Sequence, residues 1–177
     1  MGGKNIVETE RLLLREFDES DAGAFHALGS DPLITRYTGD GGLTTVEHAL
    51  EVLRARPLAD YRKYGFGRWA CVHKARGAVI GFAGLKYLDD LRAVDIGYRL
   101  LPAYWGQGLA TEAGRAVLAH GFDILRLDRI IGLVDTDNVA SVRVLEKLGL
   151  AFDEMIEYRG ARAAKYVIHA REERPVR

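Results

Sequence analysis

Residues 102–114 read "PAYWGQGLATEAG" and follow the apolar run "VDIGYRLL" at Val94–Leu101. Gly106, Gly108 and Gly114 crowd what is otherwise a helix start. Glycine inside an element costs roughly 0.5–1 kcal/mol relative to alanine, so glycines gathered at a strand-to-helix junction point to special backbone geometry or to the close approach of another body. A tight turn alone is the plainer account of a glycine pair. Here, however, a β-rich run ends, two glycines alternate with Trp105, Gln107 and Leu109, and a helix begins with free N–H groups turned back on the loop. Those donors and the positive end of the helix dipole favour an anion by about 0.3–1 kcal/mol near an exposed terminus, and phosphate is the natural guest. The dinucleotide pattern G-x-G-x-x-G fails because Thr111 stands at the third glycine position and the strands before it read as antiparallel. The Gly-Lys-Ser/Thr ending of a P-loop is missing as well.

Outward from this junction, "FGRWACVHKARGAVIGFAGLKYLDDLRAVDIGYRLL" breaks at "KARG" and "LDDLR", which predicts a three-stranded antiparallel meander. In its last strand Val94, Ile96, Tyr98 and Leu100 share one face and Asp95, Gly97 and Arg99 the other, so Asp95 is expected among non-core positions. Leu109 to about Leu125 has helical period, with Leu109, Ala113, Ala116 and Val117 on one face. "RIIGLV" reads as a buried strand. "DNVASVRVLEKLG" reads as a helix capped by Asp137 or Asn138, with Val142, Leu145 and Leu148 as its stripe and Gly149 after its end. Two strand-like segments, "LAFDEMIEY" and "AAKYVIHA", meet at "RGAR". Upstream, "ERLLLREF" is a first strand, "DESDAGAFHALGSDP" a short helix with a Ser-Asp-Pro stop, and Thr44 with Glu47 has capping-box spacing for a second helix that Pro57 kinks or divides.

With 177 residues, 48% of them hydrophobic, the chain is expected to form one domain, 1–177. Its 25 basic and 25 acidic residues lack the charge excess of a nucleic-acid or membrane-surface binder, so any polyanion must be met locally. Cys71, the one cysteine, lies in "WACV" and reads as a buried inert thiol rather than a nucleophile. The five histidines show no metal spacing, so no metal is assigned. No stretch approaches the roughly 20 apolar residues of a membrane span, and "MGGKNIVETERLL" lacks a secretory pattern, so a cytoplasmic location is expected.

Together, "WGQGLATEA", the preceding "DIGYRLL" and the downstream "NVASVRVLEKLG" resemble the acyl-CoA-binding core of the GNAT N-acetyltransferases, most of all the branch that includes the ribosomal-protein N-terminal acetyltransferases. "VETERLLLREF" is similar to that branch's opening, so the resemblance runs over nearly the whole chain. It implies an α+β, three-layer fold in which a central mixed, mostly antiparallel sheet, splayed at the acyl-CoA site, is flanked by helices. The family's loop is written Gln/Arg-x-x-Gly-x-Gly/Ala. Gly108 and Ala110 fill its last two defined positions, while Trp105 takes the first, so backbone amides rather than a basic side chain supply that contact.

By the same resemblance the pyrophosphate of acetyl-CoA lies on the amides of Trp105, Gly106, Gln107, Gly108, Leu109, Ala110 and Thr111, and the pantetheine pairs like an added strand with Tyr98, Arg99 and Leu100. Asn138 holds the pantetheine or orders the splayed strand, with a plain helix cap as the competing reading. The reaction implied is acetyl transfer to an amine by direct attack, since no activated nucleophile is in view. Asp95 matches the position of the family's base, one methylene shorter than the usual Glu. Ser141, completing "N-x-x-S", is the candidate to protonate the departing thiolate and to touch the cofactor. Glu112 serves the helix dipole. Arg115, Arg143 and Lys147 could meet the ribose phosphate, and Tyr37, Trp69, Tyr87 and Tyr104 could line the acceptor pocket, against solvated-face and core readings of each. The acceptor stays open among a protein N-terminus, a polyamine, an amino acid and an aminoglycoside. Asp40, Asp89 and Asp90 would favour a cation or merely solubilise their loops. A non-catalytic acyl-CoA sensor is the rival reading, and the expected assembly is a monomer or homodimer without direct nucleic-acid contact.

Overall fold

A computed structural model describes residues 2–38 and 42–171; Asp40, named above as a loop acid, lies outside them. The chain runs β1 (Asn5–Glu8), β2 (Leu12–Arg15), α1 (Ala22–Ser30), α2 (Pro32–Thr35), α3 (Val46–Ala55), α4 (Pro57–Tyr64), β3 (Arg68–His73), β4 (Ala78–Leu88), β5 (Ala93–Leu100), α5 (Leu109–Ala119), β6 (Arg129–Val134), α6 (Val139–Lys147), β7 (Ala151–Tyr158) and β8 (Ala161–His169). The eight strands make one sheet in the order β1-β2-β3-β4-β5-β6-β8-β7, and among its neighbours β5 and β6 alone run parallel. This is the mixed, mostly antiparallel sheet with flanking helices that the sequence predicts.

Both faces of the sheet are covered. Leu109, Ala113 and Val117 of α5 pack with Leu85, Ile96 and Ile130 on one face, and Leu145 of α6 joins the same core. Phe17 and Leu53, ahead of and within the N-terminal helices, pack with Ala70 on the other. That second layer overturns the expectation for Asp95, which is 7% exposed rather than solvated. A carboxylate tolerates such a place only when it is paired and hydrogen-bonded. Arg68 supplies the pair: its Nη2 meets Asp95 Oδ2 at 2.5 Å, and its Nη1 donates to the carbonyls of Gly84 and Asp95. Gly97 leaves room for it, since a Cβ there would lie 2.5 Å from Arg68 Cζ.

The β5–β6 ladder has one register pair, Asp95 with Ile131. Beyond it the strands part, and the Asp95 carboxylate fills the notch by accepting the Leu133 N–H at 3.0 Å. The sheet is therefore a fork whose apex is built from Asp95, Arg68 and Leu133.

Several local readings shift. A strand at Asn5–Glu8 precedes the one expected first and pairs with it. Ser30-Asp31-Pro32 ends α1 as expected and also starts a further helix: the Asp31 carboxylate accepts the Leu33 N–H, and Pro32 occupies the first turn, where it has no N–H to satisfy. Thr45, not Thr44, caps α3 through the His48 N–H. Pro57 divides α3 from α4, as expected. The helix after Leu109 ends its regular turns at Ala119 and widens into a π turn at His120–Ile124.

Removing one member of the Asp95–Arg68 pair strands the other in a covered site, which costs about 3–5 kcal/mol. Asp95→Ala is thus expected to lower the urea midpoint strongly, and the double variant Asp95→Ala with Arg68→Met to recover much of the loss. A midpoint unchanged by Asp95→Ala would mean that the pair does not brace the fork.

Candidate active site

The glycines of the opening stretch have separate reasons. Gly106 and Gly108 are left-handed, with φ of 70° and 76°, a region that side-chain-bearing residues rarely enter. Space is not the issue there: a Cβ on Gly106 meets nothing within 4 Å, and one on Gly108 meets only Arg11 Nη2 at 3.7 Å. Gly114 is a packing glycine, whose Cβ would strike Leu148 Cδ1 at 2.6 Å. The two left-handed residues wind the chain into α5, whose N-cap is Gly108 and which has no side-chain cap. Among the described residues the N–H groups of Gly106, Gln107, Gly108, Leu109, Ala110 and Thr111 have no hydrogen-bond partner. Trp105 departs from expectation, because its amide closes a turn on the Pro102 carbonyl at 3.1 Å and is already spent.

This turn is held from outside. Arg11, just before β2, donates from Nη1 to the Gln107 carbonyl at 2.9 Å and from Nε to Glu112 at 2.7 Å. Glu112 also accepts the Thr9 hydroxyl and the Arg11 amide. Burial pushes the Glu112 carboxyl up, but these three donors outweigh it and hold the group below the usual carboxylate range. Glu112 is therefore more than a charge beside the helix dipole: it anchors the first turn of α5 to the β1–β2 turn.

The fork opens beside the same turn. Leu101 donates to Ile80 across β4, so the alternation of an antiparallel pair turns the amide groups of Tyr98 and Leu100 the other way, toward the gap. Arg99 faces β4 with its backbone and lays its guanidinium over the Phe82 ring at 5.3 Å, so it offers no strand edge. The Leu100 carbonyl takes the Trp105 indole N–H at 2.7 Å, which leaves Tyr98 and the Leu100 N–H to pair with a guest. Across the gap, Asn138 caps α6 by accepting the Ser141 N–H at 3.2 Å, so the cap reading holds and only its amide nitrogen is left over. The Tyr98 hydroxyl donates to the Ser141 carbonyl at 2.9 Å, and burial pushes that phenol's pKa up.

A cleft of about 950 Å³ joins these parts, lined by the α5 turn, β5, the start of α6 and the inner sides of α1–α4. Arg143, Lys147, Tyr37 and Tyr104 line it. Arg115 is not among its walls, Trp69 is 1% exposed in the core, and Tyr87 packs against Tyr64. Cys71 is fully buried and burial pushes its thiol up, which leaves no thiolate to act as a nucleophile. Arg68 and Lys86 line the cleft and Arg11 holds the α5 turn from outside, and sequence reading passed over all three. The one sequence signal that included Arg11 is "VETERLLLREF", and only through resemblance.

The profile described as acetyltransferase (GNAT) domain matches residues 11–151. This chain belongs to the GNAT acetyltransferase family. An uncharacterized N-acetyltransferase of Bacillus subtilis, YoaA, is 36% identical over 145 residues, covering 81% of each protein. The spermidine N(1)-acetyltransferase of Escherichia coli K12 is 35% identical over 141 residues, 79% of this chain and 73% of that one. The structure of RimL, a ribosomal L7/L12 alpha-N-protein acetyltransferase in complex with coenzyme A, shares the fold with a TM-score of 0.80 at 20% identity, over 94% of this chain and 98% of that one. The GNAT chain is thus an acyl-CoA-dependent N-acetyltransferase by family, and its own residues fit the group: the six N–H groups from Gly106 to Thr111 have no partner among the described residues, and they share a cleft with an open strand edge.

Gly108→Glu is expected to abolish acetyl-CoA binding in isothermal titration, because a β-carbon at φ 76° distorts the turn and the carboxylate brings negative charge to a diphosphate site. Gly108→Asn, which tolerates left-handed backbone, should retain measurable affinity; equal affinities for both variants would remove the turn from the site. Glu112→Gln should weaken acetyl-CoA about tenfold, the worth of one charge-assisted hydrogen bond. Because the folded Glu112 pKa lies below its unfolded value, its stabilisation is present at neutral pH and is lost as pH falls through the folded value. Acid unfolding followed by circular dichroism should therefore show a smaller pH effect in Glu112→Gln.

Proposed function

We propose that this GNAT chain transfers the acetyl group of acetyl-CoA to a primary amine by direct attack, with a protein N-terminus or a small amine as acceptor. The observation that carries the reading is the meeting of the free α5 amides with the fork that begins after Asp95 and Ile131. Bound acetyl-CoA supplies a thioester carbonyl for an amine to attack. The chain supplies position: amides of Gly106–Thr111 for the diphosphate and the Tyr98 and Leu100 edge for the pantetheine. Orientation of this kind is worth about 7–11 kcal/mol of barrier when the attack geometry is right. A strand N–H in the gap polarises the carbonyl oxygen.

Asp95 acts here as a positioning residue. Its two carboxylate oxygens are engaged by Arg68 and Leu133, so it braces the fork instead of receiving the amine's proton directly. Burial raises its pKa while the Arg68 guanidinium pulls the other way. An α-amine, with a reference pKa of about 7.7–8.0, is largely neutral in mildly alkaline solution and needs no strong base. Ser141, half-buried at the α6 start, lines the cleft and is the residue we assign to return a proton to the departing thiolate.

Ser141→Ala is expected to lower kcat about a hundredfold, the scale of one general acid, with the KM for acetyl-CoA little changed. Steady-state kinetics with thiol release from acetyl-CoA reads both numbers. Unchanged kcat would remove Ser141 from the reaction, and acetyl-CoA binding without transfer to any amine in a broad panel would overturn the enzymatic reading.

A further inference from the structure

We infer that the acceptor is a primary amine carrying a carboxylate close to its nitrogen, held by Lys86 and Arg56 in the half of the cleft walled by α1–α4. The inference rests on the acetyl-transfer reading and narrows its substrate class. Strand alternation and the β4–β5 register put Phe82, Gly84 and Lys86 on the same face as Asp95, Gly97 and Arg99, with Lys86 directly across from Asp95. Lys86 therefore stands beside the apex of the fork, at the acceptor side of the place where the thioester is presented.

The nearest cation, Arg68, is already committed to Asp95. Lys86 has no such partner: among the described residues its half-buried amine makes no hydrogen bond and no ion pair within 4 Å. Arg56, the residue between α3 and α4, likewise has no carboxylate within that distance, and both line the cleft. The acid that faces them is Asp60 of α4, itself partly buried and without an ion pair among the described residues. Asp135 and Asp137 stand across the cleft in the β6–α6 turn, where the Asp135 side chain accepts the Asp137 amide.

Burial and the neighbouring Arg68 and Arg56 all disfavour the charged form of Lys86, while Asp60 partly offsets them. The acceptor side of the cleft thus carries a positive charge, from half-buried Lys86 and exposed Arg56, that Asp60 offsets only in part, and an anion relieves the remaining field. A polycationic amine would add to that field. A carboxylate satisfies it: Arg offers a planar fork and Lys a point charge, and together they fix the position of the amine attached to it. A free acidic amino acid and a peptide N-terminus followed by acidic residues share this chemistry.

The test is a comparison of kcat/KM, with saturating acetyl-CoA, for glutamate, a short C-terminally amidated peptide with Asp at its second and third positions, the matching carboxamides (the diamide of glutamate, which has no carboxylate, and the Asn peptide), and spermidine. Acidic acceptors should exceed their carboxamide counterparts by about ten- to a hundredfold, the size of one hydrogen bond to a charged group, and should lose that advantage in high salt. Lys86→Glu should reverse the order in favour of spermidine, with acetyl-CoA titration reporting that the variant remains folded. A faster free amino acid or a faster peptide tells which source the site serves, and either supports the inference. Carboxamides or spermidine matching the acids in the unaltered protein would overturn it while leaving acetyl transfer intact. Acetyl-CoA bound with no amine acetylated would overturn the transfer reading itself, and the inference with it.

Discussion

Asp95 and Arg68 meet at the one point where two parallel strands are joined before they part. β5 and β6 share a single register pair, and everything the cleft offers lies on the open side of it. A parallel pair left unzipped exposes backbone donors and acceptors that a folded chain would normally satisfy. Here the Asp95 carboxylate takes the first of them, the Leu133 N–H, and Arg68 neutralises the charge that this brings into a covered face. The remaining edge at Tyr98 and Leu100 is left for a ligand. Gly84 and Gly97 belong to the same construction, because Arg68 lies over them and donates to the Gly84 carbonyl.

Two helices begin at the mouth of this fork, and their starts differ in a way that assigns their roles. α6 is capped by its own Asn138, which accepts the Ser141 N–H and so closes the terminus. α5 starts at left-handed Gly108, which has no side chain to offer, and its first amides remain available. A glycine at the cap leaves the start less stable than a good side-chain cap by only a few tenths of a kcal/mol. The Arg11–Glu112–Thr9 network offsets this by tying the turn to the β1–β2 connection without covering the amides. The back of the loop is therefore fastened while its front amides stay open.

The parts of this arrangement that were legible in the sequence are the local ones. Asn138, Leu145, Leu148 and Gly149 spell a capped, amphipathic, glycine-terminated helix within a dozen residues, and "RGAR" joins two strands as a left-handed Arg159-Gly160 turn. The glycines at 106 and 108 read as a helix start with free amides only in context, between the end of a β-rich run and a helical period. What stayed hidden depends on distant contacts. Arg11 and Glu112 are about a hundred residues apart in the chain, so neither announces the other. Asp95 reads as solvent-facing because strand alternation separates two faces but does not say that α1–α4 will cover the second. Arg68 and Lys86 look like ordinary strand cations until the sheet order brings them beside Asp95. Spacing to Glu47 put the cap of α3 at Thr44, one residue short of Thr45, whose oxygen is the one that reaches the His48 amide.

The central claim is that the fork and the open start of α5 together hold one ligand, with the diphosphate on the amides and the acyl end at the apex. A crystal structure of the protein grown with coenzyme A tests it most directly. The account predicts diphosphate oxygens on the N–H groups between Gly106 and Thr111, and a pantetheine chain beside Tyr98 leading toward Asp95. Coenzyme A bound elsewhere, with those amides facing solvent and the gap between β5 and β6 empty, would contradict it.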